Sequence, residues 1–312
     1  MLPLFSYGTL KPGEIAFRQI ENHVEKHQLA FIKSAEIYLR DGLPALKIHE
    51  GNGYGHRHVR GYILFPKLTT CDDFYEIVRS YEGSNYRMVD TEAELEDGTR
   101  LEVSTFVGSK IDQSNPEPWE GDWTTSQSPL LGYGLPALLL NLKLDEPKTP
   151  SSLGPGDYWR QNEYWVGKGS WPGLLKIEGD FLTLTSVFEY VLTLRFGRTF
   201  GQDVMRRIGA ISEESEMMQA FASLKIENNW NVRDVTNIGA GKASPANLKK
   251  ALDACYTVRN NLTHRGKSIK SDAVRVLEAT RLLSQLLVAY LLIVMPEIKS
   301  VWPPEVISPK NN

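Results

Sequence analysis

The sequence predicts an α+β fold, a small strand-rich domain followed by an all-helical one, and three observations carry that prediction. Two alternating apolar runs, Arg87–Leu95 and Arg100–Val107, flank Glu96-Asp97-Gly98, and an Asp-Gly step between such runs signals a β-hairpin. From Leu174 to Met295 the apolar residues recur instead at helical spacing, with capping residues ahead of them. Between the two lies a stretch rich in Pro, Gly and Ser that holds five of the seven tryptophans: Trp119, Trp123, Trp159, Trp165 and Trp171. A chain of 312 residues has room for two domains. We place the segments at 1–123, 124–173 and 174–312.

Taken in order, Leu4-Phe5-Ser6-Tyr7 reads as a strand entering a Gly/Pro turn, followed by helix-like residues near Ile15–Gln28. Alternating runs at Ala35–Tyr38 and Gly61–Phe65 predict further strands, and Cys71–Tyr81 a helix. A flexible linker would be poor in aromatics, so the central tryptophans either pin an irregular segment onto its neighbours or stack on bases. Leu135–Leu144 is a short apolar element within it. Beyond, Asp180 caps the apolar run Phe181–Phe196, which Gly197 ends. Ser212 opens a second helix through Leu224, and Ser244-Pro245 starts a third, running past Arg259 to Gly266. Ser271-Asp272 starts the last, with Leu277, Leu283, Leu286, Leu287 and Tyr290 at helical spacing. Four such helices make a bundle.

Hydrophobic content of 41%, charged content of 23% and a net charge of −3 are ordinary globular values and point to no partner class. Cys71 and Cys255 stand far apart, which predicts a reduced, cytoplasmic protein with neither a disulfide framework nor a zinc site. The start shows no basic region followed by an apolar one, so no signal peptide is expected. Leu282–Met295 is interrupted by Ser284 and Gln285 and is too short for a membrane span.

In Phe5-Ser6-Tyr7-Gly8-Thr9-Leu10-Lys11-Pro12-Gly13 a strand enters a tight turn. Gly8 allows close backbone approach to a ligand, and successive N–H groups in such a turn can converge on an oxyanion or carboxylate. Taken alone, the turn is equally an ordinary strand-to-helix corner. Further on, Tyr81-Glu82-Gly83-Ser84-Asn85-Tyr86-Arg87 sets an acid at a helix end, then Gly, then a strand. Together these motifs, with Gly42-Leu43-Pro44-Ala45 and the Asp-Gly hairpin, resemble the γ-glutamylcyclotransferase-like (AIG2-like) superfamily over residues 2 to 123.

The resemblance implies a small mixed α/β barrel and an intramolecular reaction. The free α-amine of a γ-glutamyl group attacks its own γ-carbonyl and releases 5-oxoproline and an amine. The ring closure makes positioning a large share of the acceleration. Proton transfer remains, and the resemblance assigns it to Glu82, buried enough to carry a proton near neutral pH. It assigns substrate binding to Tyr7, Gly8, Thr9 and Leu10. Tyr7 and Tyr86 either line the pocket or serve as core aromatics. The chemistry calls for no cofactor and no metal.

The third helix of the C-terminal region ends in Val258-Arg259-Asn260-Asn261-Leu262-Thr263-His264-Arg265-Gly266. Between Lys249 and Arg281, eight basic residues stand against three acidic ones, a local +5 in a net-acidic chain that suits phosphate. Arg and His spaced in this way, in helical context, resemble the R-x4-6-H motif of the HEPN family, all-helical proteins that include metal-independent ribonucleases. The resemblance implies catalytic roles for Arg259 and His264, RNA contacts from Asn260, Arg265 and Lys267, and a homodimer through the C-terminal helices.

The expectation is thus a cyclotransferase-like enzyme acting on a small γ-glutamyl substrate, fused to a candidate HEPN endoribonuclease and suggestive of a toxin or phage-defence effector. Two alternatives stay open: a ribonuclease controlled by a non-catalytic ligand-sensing domain, and a cyclotransferase with a helical dimerisation module.

Overall fold

The computed structural model describes residues 1–40, 43–49, 57–108, 121–144, 171–197, 204–224, 243–265 and 273–307. The chain divides into two compact units, Met1–Tyr133 with Leu192–Gln202, and Gly134–Val191 with Asp203–Asn312.

Among its described residues the first unit has seven strands: β1 (Leu4–Ser6), β2 (Val24–Lys33), β3 (Ala35–Arg40), β4 (Leu43–Ile48), β5 (His58–Pro66), β6 (Tyr86–Leu95) and β7 (Arg100–Gly108). The order is β1-β5-β2-β6-β7-β4-β3, and β1 also pairs with β7. β1 is antiparallel to β5 (Phe5 opposite Ile63) and parallel to β7 (Phe5 opposite Thr105). Five strands therefore close on themselves as a small barrel, which removes the unpaired edges an open sheet would leave. The β3–β4 hairpin extends from β7, where Leu46 lies opposite Val107.

Alternation along β1 sends neighbouring side chains to opposite faces. Phe5 joins the barrel interior with Ile32, Ile63, Val103 and Trp123. Leu4 faces outward, where helix α1 (Cys71–Glu82) packs Phe74, Tyr75 and Val78 onto Leu10, Ile20 and Leu64. Each of those three α1 side chains contributes roughly 1.5–3 kcal/mol by leaving water. Of the two readings of the central tryptophans, Trp123 follows the anchoring one, since it is fully buried in the barrel core. Trp119, Trp159 and Trp165, and the side chain of Trp171, lie outside the described residues.

The β6–β7 hairpin forms as its Asp-Gly step predicts. Gly98 adopts φ 85°, its N–H donates to Leu95 O at 2.9 Å, and Asp97 accepts from the Thr99 N–H at 2.9 Å. The helix expected near Ile15–Gln28 does not form. Two single 3₁₀ turns, Phe17–Gln19 and Glu21–His23, lead instead into β2, the ten-residue strand on which β5 pairs. Sheet pairing over that length outweighs the local helical pattern.

The C-terminal region is helical throughout its described residues: α2 (Leu135–Leu144), α3 (Trp171–Phe196), α4 (Val204–Glu213), α5 (Ser215–Ser223), α6 (Pro245–Arg265), α7 (Ala273–Val294) and the short α8 (Ile298–Val301) and α9 (Pro304–Ile307). Within the second unit α4 packs on α6, α5 on α7, and α6 on α7. Leu252, Cys255, Leu283 and Leu287 are buried there, with Ile208 and Phe221. Ser244 caps α6 ahead of Pro245, accepting from the Asn247 N–H at 3.2 Å. Two starts differ from expectation. Asp180 lies inside α3, which begins nine residues earlier at Trp171. Ser212 lies inside α4, its hydroxyl donating to Ile208 O at 2.6 Å, and the next helix is capped by Glu214, which accepts from the Met217 N–H at 2.7 Å. An acceptor side chain can close the first turn wherever the chain reverses, and here Glu214 fills that role. Gly197 ends α3 at φ 91°, its N–H donating to Thr193 O at 2.8 Å.

Among the described residues no helix is long and apolar enough to cross a membrane, and no group of three or more His, Cys, Asp or Glu could hold a metal ion.

Gly61 sits where β5 passes β1. A Cβ there would lie 2.5 Å from Ser6 O and 2.6 Å from the Phe5 ring, both fixed by the barrel core. Gly61→Ala is expected to destabilise the first unit by about 1–3 kcal/mol, read as a lower urea midpoint. An unchanged midpoint would show that β1 can shift freely.

Candidate active site

Tyr7 follows β1 directly and is buried. Its hydroxyl donates to Phe106 O at 2.7 Å and accepts from the Leu46 N–H at 3.1 Å, joining the end of β1 to β7 and β4. The chain then turns: Lys11 N–H donates to Gly8 O at 3.0 Å, and Ala16 N–H to Thr9 O at 3.1 Å. Glycine is required at position 8 by space, because a Cβ would come within 2.9 Å of the Pro44 ring. Thr9 and Leu10 are buried, Leu10 against α1. Among the described residues, no acceptor is paired with the N–H groups of Gly8, Thr9 or Leu10.

Helix α1 carries Asp72 and Asp73 in its first turn, where the helix dipole favours negative charge. It stops after Glu82 because Gly83 takes φ 60°, with its N–H on Arg79 O. The Tyr81 and Thr9 hydroxyls share a 2.9 Å hydrogen bond, which ties the turn to the helix end. Glu82 is half-buried. Burial drives the Tyr7 phenol well above its ordinary pKa, and the nearby Glu82 carboxylate and the Tyr86 hydroxyl push it further. Tyr86 is half-buried, and its hydroxyl donates to Pro44 O at 3.1 Å. Gly8 and Tyr86 thus both meet Pro44, Glu82 and Tyr86 lie near the Tyr7 hydroxyl, and Thr9 and Leu10 face α1. Tyr7 takes part as a core aromatic with both of its hydrogen bonds spent on backbone, whereas the Tyr86 ring is partly open to solvent. Gly42 lies outside the described residues.

Two charged side chains beside the turn were not singled out from sequence. Lys11 is 5% exposed and donates to Trp123 O at 2.6 Å. Glu14 is 9% exposed and accepts from the Thr125 N–H at 2.9 Å and from its hydroxyl at 2.6 Å. Burial lowers the Lys11 pKa, against the pull of Glu14 and Asp122. Burial raises that of Glu14, against the Thr125 hydrogen bonds and Lys11. Arg60 and Asp122 pair at 3.1 Å close by. A separate buried cluster lies on the β3–β4 hairpin, where Glu36 accepts from the Tyr38 hydroxyl at 2.7 Å and pairs with His49 at 2.9 Å and with Arg57.

In the helical region, Arg259 and Asn260 are half-buried on α6, and Arg259 Nη1 donates to Asn260 Oδ1 at 3.2 Å. Tyr256, one turn earlier, is buried; burial and then the Glu189 carboxylate of α3 raise its pKa, while Arg259 opposes them. The α6 backbone is continuous through Arg265, so positions 259 and 264 lie about 140° apart around the helix axis. The side chains of His264 and Arg265, and all of Lys267, lie outside the described residues.

The Glu14 carboxyl yields a pH prediction with a definite sign. Its folded pKa is raised above the ordinary 4.5, so the folded state holds the proton more tightly and this group's contribution to stability falls as pH rises above 4.5. Glu14→Gln removes that fall. Its stability relative to wild type should climb with pH above 4.5 and then level off, as measured by urea unfolding between pH 4 and 8. A pH-independent difference would contradict the assigned burial cost.

Residues 4–125 match the family model described as gamma-glutamyl cyclotransferase, AIG2-like. Among solved structures, a gamma-glutamyl cyclotransferase is 9% identical, with 36% of this chain and 68% of that chain covered and a TM-score of 0.26. A selenomethionine-labelled gamma-glutamyl cyclotransferase specific to glutathione, from yeast, is 12% identical, with 54% and 96% covered and a TM-score of 0.31. No curated protein matches the chain. The N-terminal part of the chain, residues 4–125, is thus a domain of the AIG2-like gamma-glutamyl cyclotransferase type.

Proposed function

We propose that the N-terminal domain cyclises a γ-glutamyl group, releasing 5-oxoproline and an amine, with Glu82 as the acid/base. The observation that supports this most is the 2.9 Å hydrogen bond between Thr9 and Tyr81, which ties the turn to the helix end that carries Glu82. The substrate's α-nitrogen forms the new C–N bond to its own γ-carbonyl carbon, and the bond to the leaving nitrogen breaks. Glu82 takes a proton from the attacking ammonium and returns one to the leaving amine. The N–H groups of Gly8, Thr9 and Leu10 hold the substrate carboxylate or the developing oxyanion, which a fixed turn does without reorganising in the transition state. Tyr86, with its hydroxyl on Pro44 O, forms a wall beside the acid. The full-length protein is expected to release 5-oxoproline from a γ-glutamyl amine or peptide. Glu82→Gln should lower kcat by about 10²–10⁴-fold with an unchanged circular dichroism spectrum. Full activity in Glu82→Gln, or no turnover by wild type across a broad γ-glutamyl panel, would defeat this reading.

A second reading, supported by the Arg259–Asn260 hydrogen bond on α6 and the basic residues around it, is that the helical region is an HEPN-like, metal-independent ribonuclease. Arg259 and His264 diverge along one helix, so a composite site requires two copies of the chain, each lending one residue to the other. Arg259 steadies the phosphate, while one copy of His264 takes the 2′-hydroxyl proton and the other protonates the leaving 5′ oxygen. Such a dimer would suit a toxin or defence effector. Cleavage should leave 2′,3′-cyclic phosphate ends, survive EDTA, and vanish in His264→Ala while RNA binding persists. Cleavage that persists in His264→Ala would defeat this mechanism, and a monomer by light scattering would leave the helices as an interaction module.

A further inference from the structure

We propose that Lys11 and Glu14 are positioning residues for this site, holding the Gly8–Leu10 turn in its substrate-binding shape by fastening it to the strap of residues 122–128. The proposal rests on the cyclotransferase reading above. Close at hand, the turn is held by few contacts: the Lys11 N–H on Gly8 O, the Glu14 N–H on Lys11 O, and the Ala16 N–H on Thr9 O. Gly8 and Gly13 give that stretch wide conformational freedom, Gly13 already standing at φ 86°. Beside the Thr9–Tyr81 hydrogen bond, two long-range anchors restrict it. The Lys11 ammonium reaches Trp123 O at 2.6 Å, and the Trp123 ring is locked in the barrel core. The Glu14 carboxylate takes both the N–H and the hydroxyl of Thr125. Thr125, Ser126 and Ser128 are themselves buried, so the strap is a fixed support.

Burying two opposite charges in such a place adds little net stability over apolar residues of the same size, because desolvation offsets their attraction. What it adds is direction: hydrogen bonds fix where the turn lies, which apolar packing does less well. Lys11 and Arg60 stand against Glu14 and Asp122, so the network is balanced in charge before substrate arrives.

The test compares full-length wild type, Lys11→Met, Glu14→Ala, Glu14→Gln and Glu82→Gln on the γ-glutamyl substrate that wild type turns over, with amide hydrogen exchange of residues 8–16. Lys11→Met and Glu14→Ala should raise KM roughly 10–100-fold, leave kcat within about threefold, and speed exchange in residues 8–16. Glu14→Gln, which keeps an acceptor for Thr125, should restore KM and slow exchange. Glu82→Gln should show the converse, with kcat lost and exchange unchanged. If Lys11→Met does not fold, Thr125→Val, which removes only the hydroxyl donor to Glu14, carries the same direction of change. Unchanged KM in both anchor variants, or unchanged exchange, overturns the proposal while Glu82-dependent turnover leaves the cyclotransferase reading intact. Absence of turnover in wild type removes that reading and this proposal together.

Discussion

The buried Tyr7 hydroxyl is the point at which fold and site become one problem. It bonds Phe106 O on β7 and the Leu46 N–H on β4, immediately after the three-residue strand that closes the barrel between β5 and β7. A buried donor and acceptor are costly to leave unpaired, so the hydroxyl can rest in only one place. That place sets the start of the Gly8–Leu10 turn, and through Leu46 it sets the β4 segment that brings Pro44 over Gly8. Pro44 in turn accepts from Tyr86, at the head of the strand that follows Glu82 and its glycine stop. Shift Tyr7 and every contact around the turn loses its reference.

Charge around the turn is arranged in two layers. The carboxylate of Glu82 lies near the Tyr7 phenol, which burial keeps neutral. Behind the turn, Lys11 and Glu14 are held away from water with opposite displacements of their pKa values, the signature of desolvation opposed by pairing. The cost of burying them is set against geometric definition of the turn, a trade that functional sites make more readily than cores do.

What could be read from sequence was what depends on near neighbours. Asp97-Gly98 placed a hairpin because its turn is closed by residues two to four positions apart, and Ser244-Pro245 placed a helix start for the same reason. Glu82 and the Tyr7–Leu10 turn were legible as a pair only through their resemblance to a family. β2 was missed because its partner strand β5 begins some thirty residues on, and pairing of that range leaves no local trace. Lys11 and Glu14 read as ordinary polar residues of an exposed turn. Their partners, Trp123 and Thr125, lie more than a hundred residues away.

The central claim is that the Gly8–Leu10 turn and Glu82 form one binding site for a γ-glutamyl group. Its most direct test is a crystal structure of the full-length protein soaked with 5-oxoproline at millimolar concentration. The account predicts the ligand beside Tyr86, its carboxylate or ring carbonyl on the N–H groups of Gly8 to Leu10 and its ring nitrogen within hydrogen-bond reach of Glu82. A ligand seated elsewhere, or one that contacts the turn while Glu82 points away to solvent, would contradict it.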